Sequence, residues 1–263
     1  MQFLRRLEAS KMNPLGPDIA NAPWMTFNLS GTELRFRCPP HEMPDVNITI
    51  APESLNIYQD DIYERWNRNE EMGMSIPLLL TGWDFRDRPF GEGSIGYVKF
   101  EVHLQRRHPH YRKIDSLFKP SDMKDWILRC CEGVWGGRNK RLWENRENYD
   151  SPIVPENDFW RYPQSANKIR KMAICGADTF GYIIDIPLGP KERVWNLAIS
   201  DDHIIVLRFE PRPLNREYYE PDHDLDGAVE KKIQEFMSHV HVKLAPDAQQ
   251  RYDEVMIEVN QTK

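Results

Sequence analysis

FGYIIDIPLGPKERVWNLAISDDHIIVLRFEPRP, from Phe180 to Pro213, carries the densest structural signal in the chain. Val194 to Ser200 and His203 to Glu210 are rich in β-branched and aromatic residues, which suit a pleated, half-buried surface. Asp201 and Asp202 lie between the two runs and tolerate turn geometry. The stretch reads as strand, loop, strand, tight turn, strand. Its 194–210 hairpin belongs at the centre of an antiparallel sheet.

Working back from the hairpin, two earlier runs alternate with period two. In TELRFRC, Leu34, Phe36 and Cys38 face one way and Glu33, Arg35 and Arg37 the other. In SIGYVKFEVHLQRR (94–107), Val98, Phe100, Val102 and Leu104 make one face, and Lys99, Glu101, His103 and Gln105 the other. SIPLLLTGWDF (75–85), VNITI (46–50) and 169–175 add further strands, and 59–75 reads as about two turns of helix. A helix capped by Ser121 carries Met123, Trp126, Ile127, Cys130 and Val134 on one stripe and is expected to stop at Gly133, Gly136 and Gly137. A later helix carries Val229, Ile233, Phe236, Met237, Val240 and Leu244, with Asp226 as its cap; a last one starts at Pro246.

These patterns predict an α+β fold, a largely antiparallel sheet with covering helices, and they also fit two similar β-then-α halves. The divisions are a lead-in with a short helix (1–23), a first half (24–144), a Pro-rich connection (145–168) and a second half (169–263), or one compact domain.

The 263 residues are 40% hydrophobic and 29% charged, an ordinary globular balance, with a formal net charge of -6. Mild acidity argues against nucleic acid as the main ligand, since phosphate binding needs clustered Lys and Arg; it permits a protein partner with a basic surface. The apolar runs are too short to cross a membrane, and the first 17 residues lack the apolar core of a secretory signal. Cys38, Cys130, Cys131 and Cys175 lack metal-type spacing, and vicinal Cys130-Cys131 on a helix is not expected to form a disulfide, because the geometry would be strained, so free thiols are expected. A cytoplasmic location is expected.

Motifs for chemistry are weak. GEGSIGYV fits G-x-G-x-x-G-x-V and resembles the glycine loop that covers phosphates in protein kinases, but the strand lysine, H-R-D and D-F-G that a kinase needs are missing. It reads as a glycine-rich hairpin connection. His108-Pro109-His110, with Arg106, Arg107, Arg112 and Lys113 around it, reads as a basic loop rather than a cation site; His239 and His241 read as helical and too far apart around the axis to chelate one metal. Asp201-Asp202-His203 is explained by turn chemistry. No catalytic residue, metal ligand or cofactor is assigned.

LNREYYEPDHDLD (214–226) is the most suggestive stretch, because tyrosines amid acids suit a protein-binding surface. The expected partner-binding residues are Glu217, Tyr218, Tyr219, Glu220, Asp222, His223 and Asp224, joined by Trp83 from the 83–93 connection. The expected function is non-enzymatic: a soluble protein that occludes a partner, in the manner of an immunity protein neutralising a toxin or enzyme. The alternative is a hydrolase whose carboxylates, drawn from Asp84, Asp87, Asp201, Asp202, Asp222 and Asp224, meet only in the fold.

Overall fold

The computed structural model describes residues 5–43, 47–63, 68–69, 73–108, 111, 113–174 and 177–261. The strands are β1 (Trp24–Leu29), β2 (Thr32–Arg37), β3 (Thr49–Ile50), β4 (Ser54–Leu55), β5 (Arg68–Asn69), β6 (Gly73–Arg86), β7 (Ser94–Arg106), β8 (Arg170–Ile174), β9 (Ala177–Ile184), β10 (Glu192–Ala198), β11 (His203–Pro213) and β12 (His241–Lys243). Among the described residues, four α-helices have at least 8 residues: α1 (Pro120–Cys131), α2 (Gly137–Glu144), α3 (Leu225–Met237) and α4 (Pro246–Gln261).

The β10–β11 hairpin forms as its sequence predicts and lies inside an eight-stranded sheet ordered β3-β6-β7-β11-β10-β9-β8, with β5 beside β6. A smaller sheet runs β12-β2-β1-β4. Among the described residues, all strand pairings are antiparallel except β1 with β4. This is an α+β fold with two antiparallel-rich sheets. β7 and β11 lie on either side of the 145–168 connection, yet they pair from His203↔Arg106 to Pro213↔Gly96. Both halves of the chain therefore contribute to one sheet.

The alternation in β7 decides where the core lies. Phe100 is fully buried and packs 4.6 Å from Phe209, 4.7 Å from Phe236 of α3, 5.4 Å from Trp83 and 6.0 Å from Phe36 of the small sheet, ring centre to ring centre. One face of the large sheet thus meets α3 and the small sheet through aromatic rings. Each such ring contributes about 2–3 kcal/mol by leaving water. Trp83 is 2% exposed and donates its indole N–H to the Pro39 carbonyl at 3.1 Å, so it is a core residue and not the partner contact expected for it.

Several boundaries differ from expectation for identifiable reasons. The described part of the lead-in includes a 3-10 turn at Arg6–Glu8, and that of the 59–75 segment a 3-10 turn at Asp61–Tyr63 and the short strand β5; residues 1–4, 64–67 and 70–72, on which the two expected helices also rest, lie outside the described residues. Lys119 is the N-cap of α1, with Pro120 at the first helical position, where its missing N–H costs nothing. Asp122, and not Ser121, captures the preceding loop by accepting from the Asp115 and Ser116 N–H groups. The glycines do not stop this helix. Residues Glu132–Gly136 make a π turn with helical dihedrals at both ends, and the chain continues as α2. Asp224, and not Asp226, caps α3 by accepting from Gly227 N–H at 2.9 Å. Beyond Met237 the chain turns into β12, so Val240 and Leu244 leave the helical stripe and His241 lies on a strand. The segment 44–46, Pro109, His110, Arg112 and Cys175, which bear on the 46–50 strand, the basic loop and the cysteine readings, lie outside the described residues. Among the described residues, no helix is long and apolar enough to cross a membrane.

Candidate functional site

The 214–224 loop leaves β11 and is built from the inside. Tyr218 is buried, and its hydroxyl donates to Asp226 Oδ1 at 2.7 Å. Burial pushes the Tyr218 phenol well above its ordinary range. Asp226 also accepts from Arg193 of β10 at 2.8 Å; burial alone would raise the Asp226 pKa, but the Arg193 guanidinium outweighs it and lowers the carboxyl. His223 is buried as well: Nδ1 accepts from Leu225 N–H at 3.3 Å, and Nε2 donates to the Glu217 carbonyl at 3.0 Å. Tyr218 and His223 are therefore internal supports and not contact surface. Asp224 is occupied as the helix cap. Of the expected contact residues, the loop leaves Glu217, Tyr219 and Asp222 exposed.

Glu220, Asp222 and His223 place one ligand atom each within 4.8 Å of the others, a spacing compatible with a cation. The chemistry does not fit one. Both His223 nitrogens are engaged in hydrogen bonds, which leaves no lone pair, and Asp222 lies against Lys11 and Arg216.

Ion pairs join this loop to two others. Lys11 bonds both Glu92 and Asp222, and Arg216 bonds Glu92 at 2.6 Å and Asp222 at 3.5 Å. The pairing raises the Lys11 pKa and lowers that of Glu92. Lys191, from the 185–191 connection, lies 5.4 Å from the Tyr219 ring centre and 3.5 Å from Asp226. The 83–93 connection is thus brought to the 214–224 loop, through Glu92 rather than Trp83. Large apolar residues project from these joined segments. Phe90 is 100% exposed, Leu188 86% and Tyr219 45%; Met12 and Leu214 are also exposed. Phe90 and Leu188 both have positive φ, at +65° and +61°.

The six aspartates considered for catalysis do not form a carboxylate pair in a pocket. Asp84 accepts from Arg86 and Ser94, Asp87 from the Arg88 and Glu92 N–H groups, Asp201 from Arg251, and Asp202 from Arg107. Asp222 and Asp224 are held as described above. Each closes a turn or anchors an element.

A cleft of about 630 Å³ lies elsewhere, between the outer face of the large sheet and the α1–α2 segment. Its floor includes Ser75 of β6, Glu101 and His103 of β7, Arg208 of β11, Asn196 of β10 and Tyr182 of β9; Trp126, Cys131, Trp135, Arg138 and Arg141 form the opposite wall. Arg208 donates to Glu192 at 2.9 and 2.6 Å and approaches Glu101 at 3.5 Å. Burial works to raise the Glu101 pKa, but hydrogen bonds from His103 and Lys99 and the charge of Arg208 prevail and hold it at about 2. Burial raises Glu192. Burial also pushes the Cys131 thiol up to about 12, so it stays protonated and is not poised as a nucleophile. The sequence signal for this cleft was the polar face of β7. It reads as a solvent face, because nothing in the alternation reveals that a second layer of helix stands off it.

The glycine motif has a mechanical role. Gly93 adopts φ +87° in the β6–β7 turn, and a Cβ on Gly96 would come within 2.5 Å of both Arg212 O and Leu225 Cδ2. No family model and no curated protein sequence matches this chain.

Proposed function

We propose that this chain is a non-catalytic binding protein that neutralises a partner protein by covering its working surface, as an immunity protein does. The observation that carries the reading is the set of apolar side chains, Phe90, Leu188 and Tyr219 foremost, projecting from loops that ion pairs hold together. Exposed apolar side chains of this size, rimmed by charge and mounted on fixed backbone, suit anchors for a protein surface. Tyr219 adds ring area at little entropic cost. Glu217 and Asp222 at the rim suit a partner with a basic face, where charge raises the encounter rate and the anchors slow dissociation. The mechanism is steric and needs no reacting group on this chain.

The test is capture from the source cell with purified protein as bait, comparing wild type with a Phe90→Ser/Leu188→Ser/Tyr219→Ala variant. A specific protein retained by wild type and released by the variant, with retention falling as salt rises, supports the reading. Equal retention by both baits, or none by wild type, defeats it.

A further inference from the structure

We infer that the cleft between the large sheet and α1–α2 is a binding site for a small, hydroxyl-bearing organic anion carrying phosphate or carboxylate. The inference is independent of the occluding surface, which lies on other elements. The volume, about 630 Å³, falls in the range of sites for drug-sized and cofactor-sized ligands. Charge gives the ligand its sign: the lining holds three arginines and one glutamate. Arg208 is neutralised by Glu192, and Glu101 is matched by Lys99. Arg138 and Arg141 are left over. Among the described residues neither makes an ion pair, and Arg138 stacks 4.5 Å from the Trp135 ring centre and 6.0 Å from that of Trp160. Two exposed guanidinium groups beside a pocket, one of them stacked on tryptophan, match an oxyanion through paired N–H donors.

A second observation is buried within the wall. Trp126 is 1% exposed and lines the cleft, yet among the described residues its indole N–H, itself shielded from solvent, has no hydrogen-bond partner. A buried donor without an acceptor is rare in a folded protein and costly, and a polar ligand that lets the ring turn toward the cleft would supply the acceptor. The floor, with Ser75, His103 and Asn196, is hydrogen-bonding rather than apolar, which favours a hydroxylated body over an acyl chain. The π turn at Glu132–Gly136 is what sets Trp135 and Arg138 over the sheet, and such turns recur at functional sites.

The test is calorimetric titration of the full chain with AMP, glucose 6-phosphate and glucuronate, with uncharged glucose as control. At least one anion is expected to bind with a Kd below about 100 μM while glucose does not. Binding of the two phosphates alone identifies a phosphate site, and binding of glucuronate a carboxylate site. Arg138→Ala/Arg141→Ala, at two exposed positions, should weaken the anion about tenfold or more. In a ¹⁵N–¹H spectrum, the Trp126 indole signal, assigned with Trp126→Phe, should move on binding. Failure of all three anions to bind better than glucose, equal binding by the double variant, or an unmoved Trp126 signal overturns the inference. Partner capture by the double variant should be unchanged, which keeps the two readings separate.

Discussion

Tyr218 and Arg193 meet on one carboxylate oxygen: the phenol donates to Asp226 Oδ1 at 2.7 Å and the guanidinium at 2.8 Å. The contact ties the 214–224 loop to β10 and to the first turn of α3, which is how the loop gains a fixed shape. Tyr218→Phe removes one neutral-to-charged hydrogen bond and leaves Asp226 paired. It should cost about 1–2 kcal/mol in a urea titration. Arg193→Ala strips both Asp226 and Glu230 of a partner that is itself buried, and should cost about 3 kcal/mol or more. The ordering of the two losses checks the account.

His203, at the end of the hairpin turn, makes the protein sensitive to acid. Its ring is buried, with Nδ1 on the Ser200 hydroxyl at 2.8 Å and Nε2 donating to the Ile57 carbonyl at 3.0 Å. Burial, with the Arg106 charge added, lowers its pKa from 6.5 to about 4. A depressed histidine gives stability that is complete above pH 6.5, where neither state is protonated, and that is lost as the pH falls through 6.5 toward 4. The shift corresponds to about 3 kcal/mol. Stability followed by urea midpoint from pH 7 to 4 should drop by that order, and His203→Gln should flatten the slope across this window. A slope unchanged by the substitution would remove His203 from the explanation.

The hairpin and β7 were legible in the sequence because their alternation states which face is buried, and Phe100 and Phe209 prove to be central to the core. Short-range rules failed where tertiary contact decided. Trp83 looks like a loop tryptophan, but β6 extends to Arg86 and carries it under α3. Tyr218 and His223 have the composition of a contact loop, and only the fold reveals that both face inward. The cleft was invisible for a related reason. Glu101 and His103 are what an exposed strand face contains, and the helical layer opposite them comes from residues 120–144, whose distance from β7 no local pattern encodes.

The glycine motif makes a sharp mechanical prediction. Gly96 lies where β7 passes β11 and the start of α3, and a methyl group there would press on the Arg212 carbonyl, which is backbone and cannot yield cheaply. Gly96→Ala should destabilise the protein by about 1–3 kcal/mol, as overpacking does. At Gly137 a Cβ would meet nothing and the backbone is helical, so Gly137→Ala should instead stabilise by about 0.4–1 kcal/mol. Thermal melts of the two variants should shift in opposite directions.

Phe90 separates stability from function. It is fully exposed, so it contributes no burial, and its φ of +65° is a conformation that costs a non-glycine residue roughly 1–2 kcal/mol. Natural selection for stability alone would place glycine there. Phe90→Gly relieves the strain at the expense of a more flexible unfolded chain, so its melting temperature should be unchanged or slightly raised. If Phe90 is an anchor of the occluding surface, the same substitution should weaken partner retention about tenfold or more, since central aromatic anchors carry about 2 kcal/mol or more of binding energy. Stability held or raised together with binding lost is the expected pair of outcomes. Retention equal to wild type would mean that the strain at Phe90 serves something other than the partner.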